Sequence, residues 1–164
     1  MILLGLGSNL PTKSHRSSVE VLTESLKSLS KRKIKVEQLS SWYRSAPVPI
    51  SDQPWFVNAV ASLRSALPPR ELLAALHDVE AEFGRERSLR NASRTLDLDL
   101  LAYEDAVIGE PGGLVLPHPR LGERAFVLLP LAEIAPGWRH PVSGRTAGEM
   151  LADLPAGQAV EKLG

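Results

Sequence analysis

Arg94-Thr95-Leu96-Asp97-Leu98-Asp99-Leu100-Leu101 alternates acid and leucine with the two-residue period of a half-buried β-strand. At that period Asp97 and Asp99 share one face, their backbones about 7 Å apart, a spacing that suits a pair of metal ions. Leu96, Leu98 and Leu100 fill the opposite face, so two acids are held rigidly side by side and repel each other unless cations neutralise them. Just upstream, Arg85, Arg87, Arg90 and Arg94 face a single acid, Glu86, which makes a local anion trap beside the paired carboxylates. Asn58 stands in an apolar run, Phe56-Val57-Asn58-Ala59-Val60, where an amide without partners is costly; it is expected to read a ligand. His118, between two prolines, by itself reads only as a loop-shaping residue.

Several classes of site are excluded. Gly5-Leu6-Gly7-Ser8-Asn9-Leu10 resembles a dinucleotide fingerprint superficially, but Leu10 stands where the third glycine belongs and no ribose-binding acid follows. No Walker loop is present, so nucleotide phosphates would be held by metal ions and arginines rather than by a glycine cradle. With 19 basic and 19 acidic residues the chain is neutral, which argues against a general nucleic-acid binder. Cysteine is absent, so disulfides and thiolate metal sites are excluded. The opening Met1-Ile2-Leu3-Leu4-Gly5-Leu6 is too short to span a membrane and lacks a basic leader and a cleavage site. The expectation is a cytoplasmic protein. Its 164 residues, 43% of them apolar, suffice for one domain, 1–164, with a real core.

The elements that must position these residues follow from periodicity. Met1 to Gly7 reads as a buried strand, and Ser14 to Ser30 as a helix with Val19, Leu22, Leu26 and Leu29 on its apolar side. Lys33 to Arg44 reads as a strand, followed by an extended loop at Ser45-Ala46-Pro47-Val48-Pro49, and Trp55 to Leu63 as the strand that pairs with it. Pro68-Pro69 starts a helix that buries Leu72, Leu76, Val79 and Phe83, is flanked by His77 and Glu80, and ends at Gly84. The strand of Asp97 runs to Tyr103. After it come a turn at Gly112-Gly113, the apolar run Leu114 to Leu116, a helix from Arg124 to Ile134, and a last short helix opened by a Thr146/Glu149 capping box. The order predicts an α+β fold: a ferredoxin-like βαββαβ antiparallel sheet with helices packed on it and a small C-terminal extension.

Four blocks spanning nearly the whole chain together resemble the 6-hydroxymethyl-7,8-dihydropterin pyrophosphokinase family of folate biosynthesis. They are Gly7-Ser8-Asn9-Leu10; Tyr43-Arg44-Ser45-Ala46-Pro47 with Asp52-Gln53-Pro54 through Asn58; Arg94 through Asp99; and Pro117-His118-Pro119-Arg120-Leu121 through Phe126. The resemblance implies transfer of pyrophosphate from ATP to the hydroxymethyl group of the pterin, leaving AMP. It implies two Mg²⁺ ions on Asp97 and Asp99, and ATP contacts from His77, Glu80, Arg85, Arg87, Arg94, His118 and Arg124. Arg85 and Arg94 join the two aspartates as the catalytic set. Ser45, Ala46, Val48, Phe56, Asn58 and Phe126 match the pterin pocket, where a flat heterocycle takes ring stacking and a few fixed hydrogen bonds at its rim. Partners are then small molecules only, with neither nucleic acid nor membrane, and the protein is expected to be a monomer. Departures fall at Arg90-Asn91-Ala92-Ser93, which is shorter than in relatives, and at Gly113 to Val115 and Pro119; Arg90 and Arg120 are the candidates to compensate.

Two rivals come from other classes. A ferredoxin-like sheet also serves as an RNA platform, but it needs exposed aromatics and basic surroundings where this chain places acids. A metal-dependent nuclease shares paired acids, yet has no use for an apolar strand bearing Asn58.

Overall fold

A computed structural model describes residues 1–9, 17–47, 54–84 and 96–163. In chain order the elements are β1 (Ile2–Ser8), α1 (Ser18–Lys31), β2 (Lys35–Leu39), β3 (Tyr43–Ser45), β4 (Phe56–Arg64), α2 (Pro69–Glu82), β5 (Asp97–Tyr103), β6 (Ile108–Gly109), β7 (Val115–Leu116), α3 (Ala125–Ile134), α4 (Ala147–Ala152) and β8 (Val160–Lys162). The result is an α+β protein: one antiparallel sheet ordered β5-β1-β4-β3-β8, with β2 also on β4 and helices on both faces. A separate two-stranded ribbon joins β6 to β7.

The two faces of the sheet differ because side chains alternate along each strand. Ile2, Leu4 and Leu6 of β1, Ala59, Ala61 and Leu63 of β4, and Leu98 and Leu100 of β5 form one face, packed against Val21, Leu22 and Leu29 of α1 and Leu72, Leu76 and Val79 of α2. On the other face Leu3, Val60 and Leu101 pack against Val127, Leu128 and Leu131 of α3 and Ala147 and Met150 of α4. The first face is apolar up to the end of β1, where buried Ser8 follows Leu6. The second changes character toward the Gly7 end of β1, where Asn58, Asp97 and Asp99 replace leucine and valine.

Local signals account for the helix ends. Ser17 caps α1, its Oγ accepting from Glu20 N at 3.1 Å, and Pro69 opens α2 at a position whose N–H has no helical partner. Gly84, at φ +78°, terminates α2 in a left-handed conformation that costs glycine little. The Thr146/Glu149 capping box is present at α4. The expected start of the first helix at Ser14 lies outside the described residues, and its buried side is Val21, Leu22, Ser25 and Leu29, with Val19 and Leu26 half-buried.

One expectation is corrected. The single strand read from Lys33 to Arg44 is two strands, β2 and β3, both on β4. Ser40 lies between them. Its N–H donates to Val60 O at 2.9 Å, and its Oγ, in place of a backbone carbonyl, accepts from Val60 N at 3.0 Å. A side-chain oxygen in the ladder makes the chain step aside, and a bulge between Val36 and Gln38 adds to the bend.

Glu133 on α3 ties β3 to the second face. It accepts from Tyr43 Oη at 2.7 Å, Ser41 N at 2.8 Å and Ser41 Oγ at 3.1 Å, with Lys162 Nζ at 3.8 Å. Burial alone would raise the Glu133 carboxyl, but the Tyr43 and Ser41 hydrogen bonds and Lys162 outweigh it, leaving it below the ordinary 4.5. Burial, that hydrogen bond and the Glu133 charge push Tyr43 up to about 12. A carboxyl depressed in the folded state stabilises the protein fully above its unfolded value of 4.5 and loses that contribution as pH falls through the folded value. Thermal midpoints of wild type and Glu133→Gln, measured from pH 6 to pH 3, should therefore converge toward the acid end; a difference constant with pH would refute this role.

Candidate active site

The registers of three strands fix the centre of the site. Asn58 on β4 pairs with Gly7 on β1, which pairs on its other side with Asp97 on β5. In the next row Val60, Gly5 and Asp99 line up in the same way. Directly opposed residues of antiparallel strands project from one face, so the amide and both carboxylates stand on the same side of the sheet. Strand spacing places Asn58 and Asp97 about 10 Å apart, and between them β1 has no side chain. A Cβ built on Gly7 would lie 3.2 Å from Asn58 Nδ2 and 3.9 Å from Asp97 Cβ. Glycine at 7 therefore leaves a shallow trough across the sheet with an amide on one bank and a carboxylate on the other.

On the Asn58 side, Ser45 and Asn58 are buried, and Ser45 Oγ donates to Asn58 Oδ1 at 2.6 Å. With Oδ1 engaged by Ser45, the Nδ2 donor lies toward β1. Phe56, directly opposite Ser45, is half-buried. Phe126, in the first turn of α3, packs on the second core and carries the Arg124 guanidinium 5.4 Å from its ring centre. Ala46 N donates to Ala159 O at 3.1 Å. Arg44 stacks over Trp55, 4.3 Å from its ring centre, outside this set.

On the carboxylate side, a cleft of 270 Å³ is lined by His77, Glu80, Asp97, Asp99 and His118, together with Gly113 to Val115 and Pro119. Asp97 and Asp99 are half-buried, whereas Leu96, Leu98 and Leu100 are buried on the other face, as the alternation requires. β5 is the edge of the sheet, and an edge strand has outward N–H groups to satisfy. Glu80, 1% exposed on α2, does so for Leu98, its Oε2 accepting from Leu98 N at 2.9 Å. The hydrogen bond pins β5 between the two aspartates. Two hard carboxylates on a rigid strand fit Mg²⁺, which takes one or two protein carboxylates and keeps the rest of its shell for water and phosphate. Among the described residues no group of three or more His, Cys, Asp or Glu is placed to hold a metal.

His118 and Arg124 face this pair. Burial, then Arg124, lowers the His118 imidazole; Asp97 opposes them and Arg120 adds to them. Its Nδ1 accepts from Arg120 N at 3.1 Å, so near neutral pH the ring is uncharged and presents Nε2–H as a donor. Burial likewise pulls the Arg124 guanidinium below its usual value against the attraction of Asp99 and Asp97. Of the residues expected from sequence, the structure thus gathers His77, Glu80, Asp97, Asp99, His118 and Arg124 on one bank, and Ser45, Ala46, Phe56, Asn58 and Phe126 on the other. Val48, Arg85, Arg87, Arg90 and Arg94 lie outside the described residues. In the sequence Gly7 stands in the failed dinucleotide motif and in the first of the four family blocks, with no role of its own attached to it. No local signal marks it as the floor of the site, because its role comes from pairing with Asn58 and Asp97, distant in sequence.

An α+β sheet that carries a carboxylate pair beside an amide-lined trough offers two adjoining subsites, one suited to cations and one to a hydrogen-bonding ligand edge. Comparison with known proteins narrows this. The family profile of 7,8-dihydro-6-hydroxymethylpterin-pyrophosphokinase (HPPK) matches residues 3–136. A 2-amino-4-hydroxy-6-hydroxymethyldihydropteridine pyrophosphokinase of Pseudomonas aeruginosa is 40% identical over 162 residues, covering 99% of this chain and 96% of its own. One from Synechocystis sp. is 47% identical over 121 residues, covering 74% of this chain and 61% of its own. A solved Plasmodium falciparum HPPK-DHPS has the same fold, with a TM-score of 0.71 at 15% identity over 92% of this chain and 43% of that one. The chain belongs to the HPPK family, enzymes that transfer pyrophosphate from ATP to hydroxymethyldihydropterin.

The trough gives a direct test. A Gly7→Val substitution places atoms against Asn58 Nδ2 and narrows the gap between the banks, so kcat/KM should fall by about 100-fold while the thermal midpoint moves by only a few degrees. Unimpaired turnover in a folded variant would show that the trough is not used.

Proposed function

We propose that the two banks divide the two substrates between them, ATP against Asp97 and Asp99, the pterin against Asn58, with the reacting atoms meeting over Gly7. The Asn58-Gly7-Asp97 row carries this reading: it sets a heterocycle-reading amide and a phosphate-side carboxylate about 10 Å apart with only backbone between them. Asn58, held by Ser45, donates from Nδ2 to an acceptor on the pterin edge, and the rings of Phe56 and Phe126 take its flat faces. Ala46 and Val48 complete the rim on the strength of the family resemblance.

Asp97 and Asp99 would hold two Mg²⁺ ions, which when bound neutralise charge on the phosphate oxygens. His118 donates a neutral hydrogen bond to phosphate, and Arg124 supplies a fixed positive charge opposite the carboxylates. Arg85, Arg87 and Arg94 join them in the same role, and His77 and Glu80 border the nucleotide, Glu80 by holding β5. The hydroxymethyl oxygen attacks the β-phosphorus in line; the bond from that phosphorus to the oxygen it shares with the α-phosphate breaks, AMP departs with that oxygen, and the hydroxyl proton passes to water. The same proposal makes residues 1–164 one pyrophosphokinase domain on a ferredoxin-like plan, with β2 and β3 as halves of its second strand and β8 added at the edge. It is a cytoplasmic monomer acting where ATP is available; no helix among the described residues is long and apolar enough to cross a membrane.

Two substitutions separate the banks. Asp97→Ala should lower kcat by about 10³-fold or more with the fold intact, the effect of losing a principal electrostatic element at a phosphoryl-transfer site. Asn58→Ala should weaken pterin binding about tenfold in calorimetry and leave ATP binding unchanged. Near-normal turnover in the first, or a loss confined to ATP in the second, would overturn the division.

A further inference from the structure

The amino end of α3 carries two residues of the site, Arg124 and Phe126, yet it has no cap of its own. Arg124 occupies the cap position in an extended conformation, φ −117° and ψ 113°, and makes no capping hydrogen bond from its side chain. The missing partner comes from 33 residues downstream. Gln158 Oε1 accepts from Ala125 N at 2.8 Å, and Gln158 Nε2 donates to Glu123 O at 2.9 Å. One side-chain amide thus grips the backbone on both sides of Arg124, in a planar two-point contact that fixes rotation as well as position. The next residue reaches the other bank: Ala159 O accepts from Ala46 N at 3.1 Å, and Val160 then pairs with Ser45, the residue that orients Asn58. Residues 158–160 therefore touch the supports of both substrates.

We propose that Gln158 is a positioning residue for pyrophosphoryl transfer: it acts as a remote cap on α3 that aims Arg124 at the Asp97/Asp99 bank. This rests on the reading of Arg124 as a phosphate-side charge. Gln158 itself is exposed, lies beyond the 3–136 span that matches the family profile, and touches no substrate on this reading. Its influence passes through the backbone at 123–125. Because one bond is open to water and the other only part-buried, their loss costs modest stability, whereas a small misplacement of a charged group at a reacting centre costs turnover disproportionately.

Steady-state kinetics on full-length Gln158→Ala, Gln158→Glu, Arg124→Ala and the Gln158→Ala/Arg124→Ala double variant test this, with circular dichroism and thermal midpoints on each. Gln158→Ala should lower kcat/KM for ATP about tenfold with an unchanged spectrum. Gln158→Glu keeps the acceptor for Ala125 N and adds a charge favourable at a helix amino end, but turns an acceptor toward Glu123 O where the amide donated, so it should recover part, and not all, of the lost activity. In the Arg124→Ala background the Gln158 substitution should cost less than twofold, since two residues acting as one unit do not add. Wild-type kinetics in Gln158→Ala, or full additivity in the double variant, overturns the proposal. If Arg124→Ala is slow and Gln158→Ala normal, the reading of Arg124 stands and this inference alone falls; if Arg124→Ala is as active as wild type, both fall.

Discussion

Backbone pairing across three strands is the constraint on which the site depends. β1 hydrogen-bonds to β4 on one side and β5 on the other, and its register brings Gly7 level with both Asn58 and Asp97. A slip of one residue in either ladder would turn the corresponding polar group onto the α1/α2 face, among fully buried leucines, where neither an amide nor a carboxylate has a partner. The geometry of the candidate site and core burial are thus enforced by the same alternation. The leucines at 4, 6, 98 and 100 hold the strands in register, and that register presents the polar residues between them.

Support for the two banks is correspondingly unequal in kind. On the carboxylate side it is short-ranged: Glu80 from α2 satisfies the exposed edge of β5 between the aspartates. On the amide side it is spread over the C-terminal third of the chain. Glu133 holds Ser41 and Tyr43 and β8 closes the edge of β3, while Gln158 holds the start of α3, from which Phe126 serves this bank and Arg124 the other. The arrangement suits the work proposed for each bank. Two like charges need a rigid strand to stay close, whereas a pocket for a flat ring is assembled from loops and helix ends that must be brought together.

What the sequence made legible tracks how local the signal is. Asp97 and Asp99 against Leu96, Leu98 and Leu100 is a period-two pattern within five residues, and the strand, its faces and its acids follow from it. Pro69 and Gly84 bracket α2 through backbone chemistry that needs no tertiary knowledge. Asn58 stood out because an amide in an apolar strand demands a partner, and Ser45 supplies one. The division of β2 from β3 was not legible, because it arises where Ser40 takes a ladder position on Val60, twenty residues away. Gly7 and Gln158 escaped for the same reason: a glycine in an apolar strand and an exposed glutamine look ordinary until their distant neighbours are placed beside them. The four arginines from 85 to 94 were conspicuous in the sequence as a local positive charge; the ATP contacts expected of Arg85, Arg87 and Arg94 rest on the family resemblance, and Arg90 is a candidate to compensate only by its proximity to them.

The most direct test of the central claim is a crystal structure of the protein with Mg²⁺, a nonhydrolysable ATP analogue and the hydroxymethyl pterin bound together. The account predicts the triphosphate against Asp97 and Asp99, the pterin edge on Asn58, and the hydroxymethyl oxygen over Gly7 within about 3.5 Å of the β-phosphorus. A complex in which both ligands lie on the same side of Gly7, or in which the triphosphate leaves Asp97 and Asp99 untouched, would contradict it.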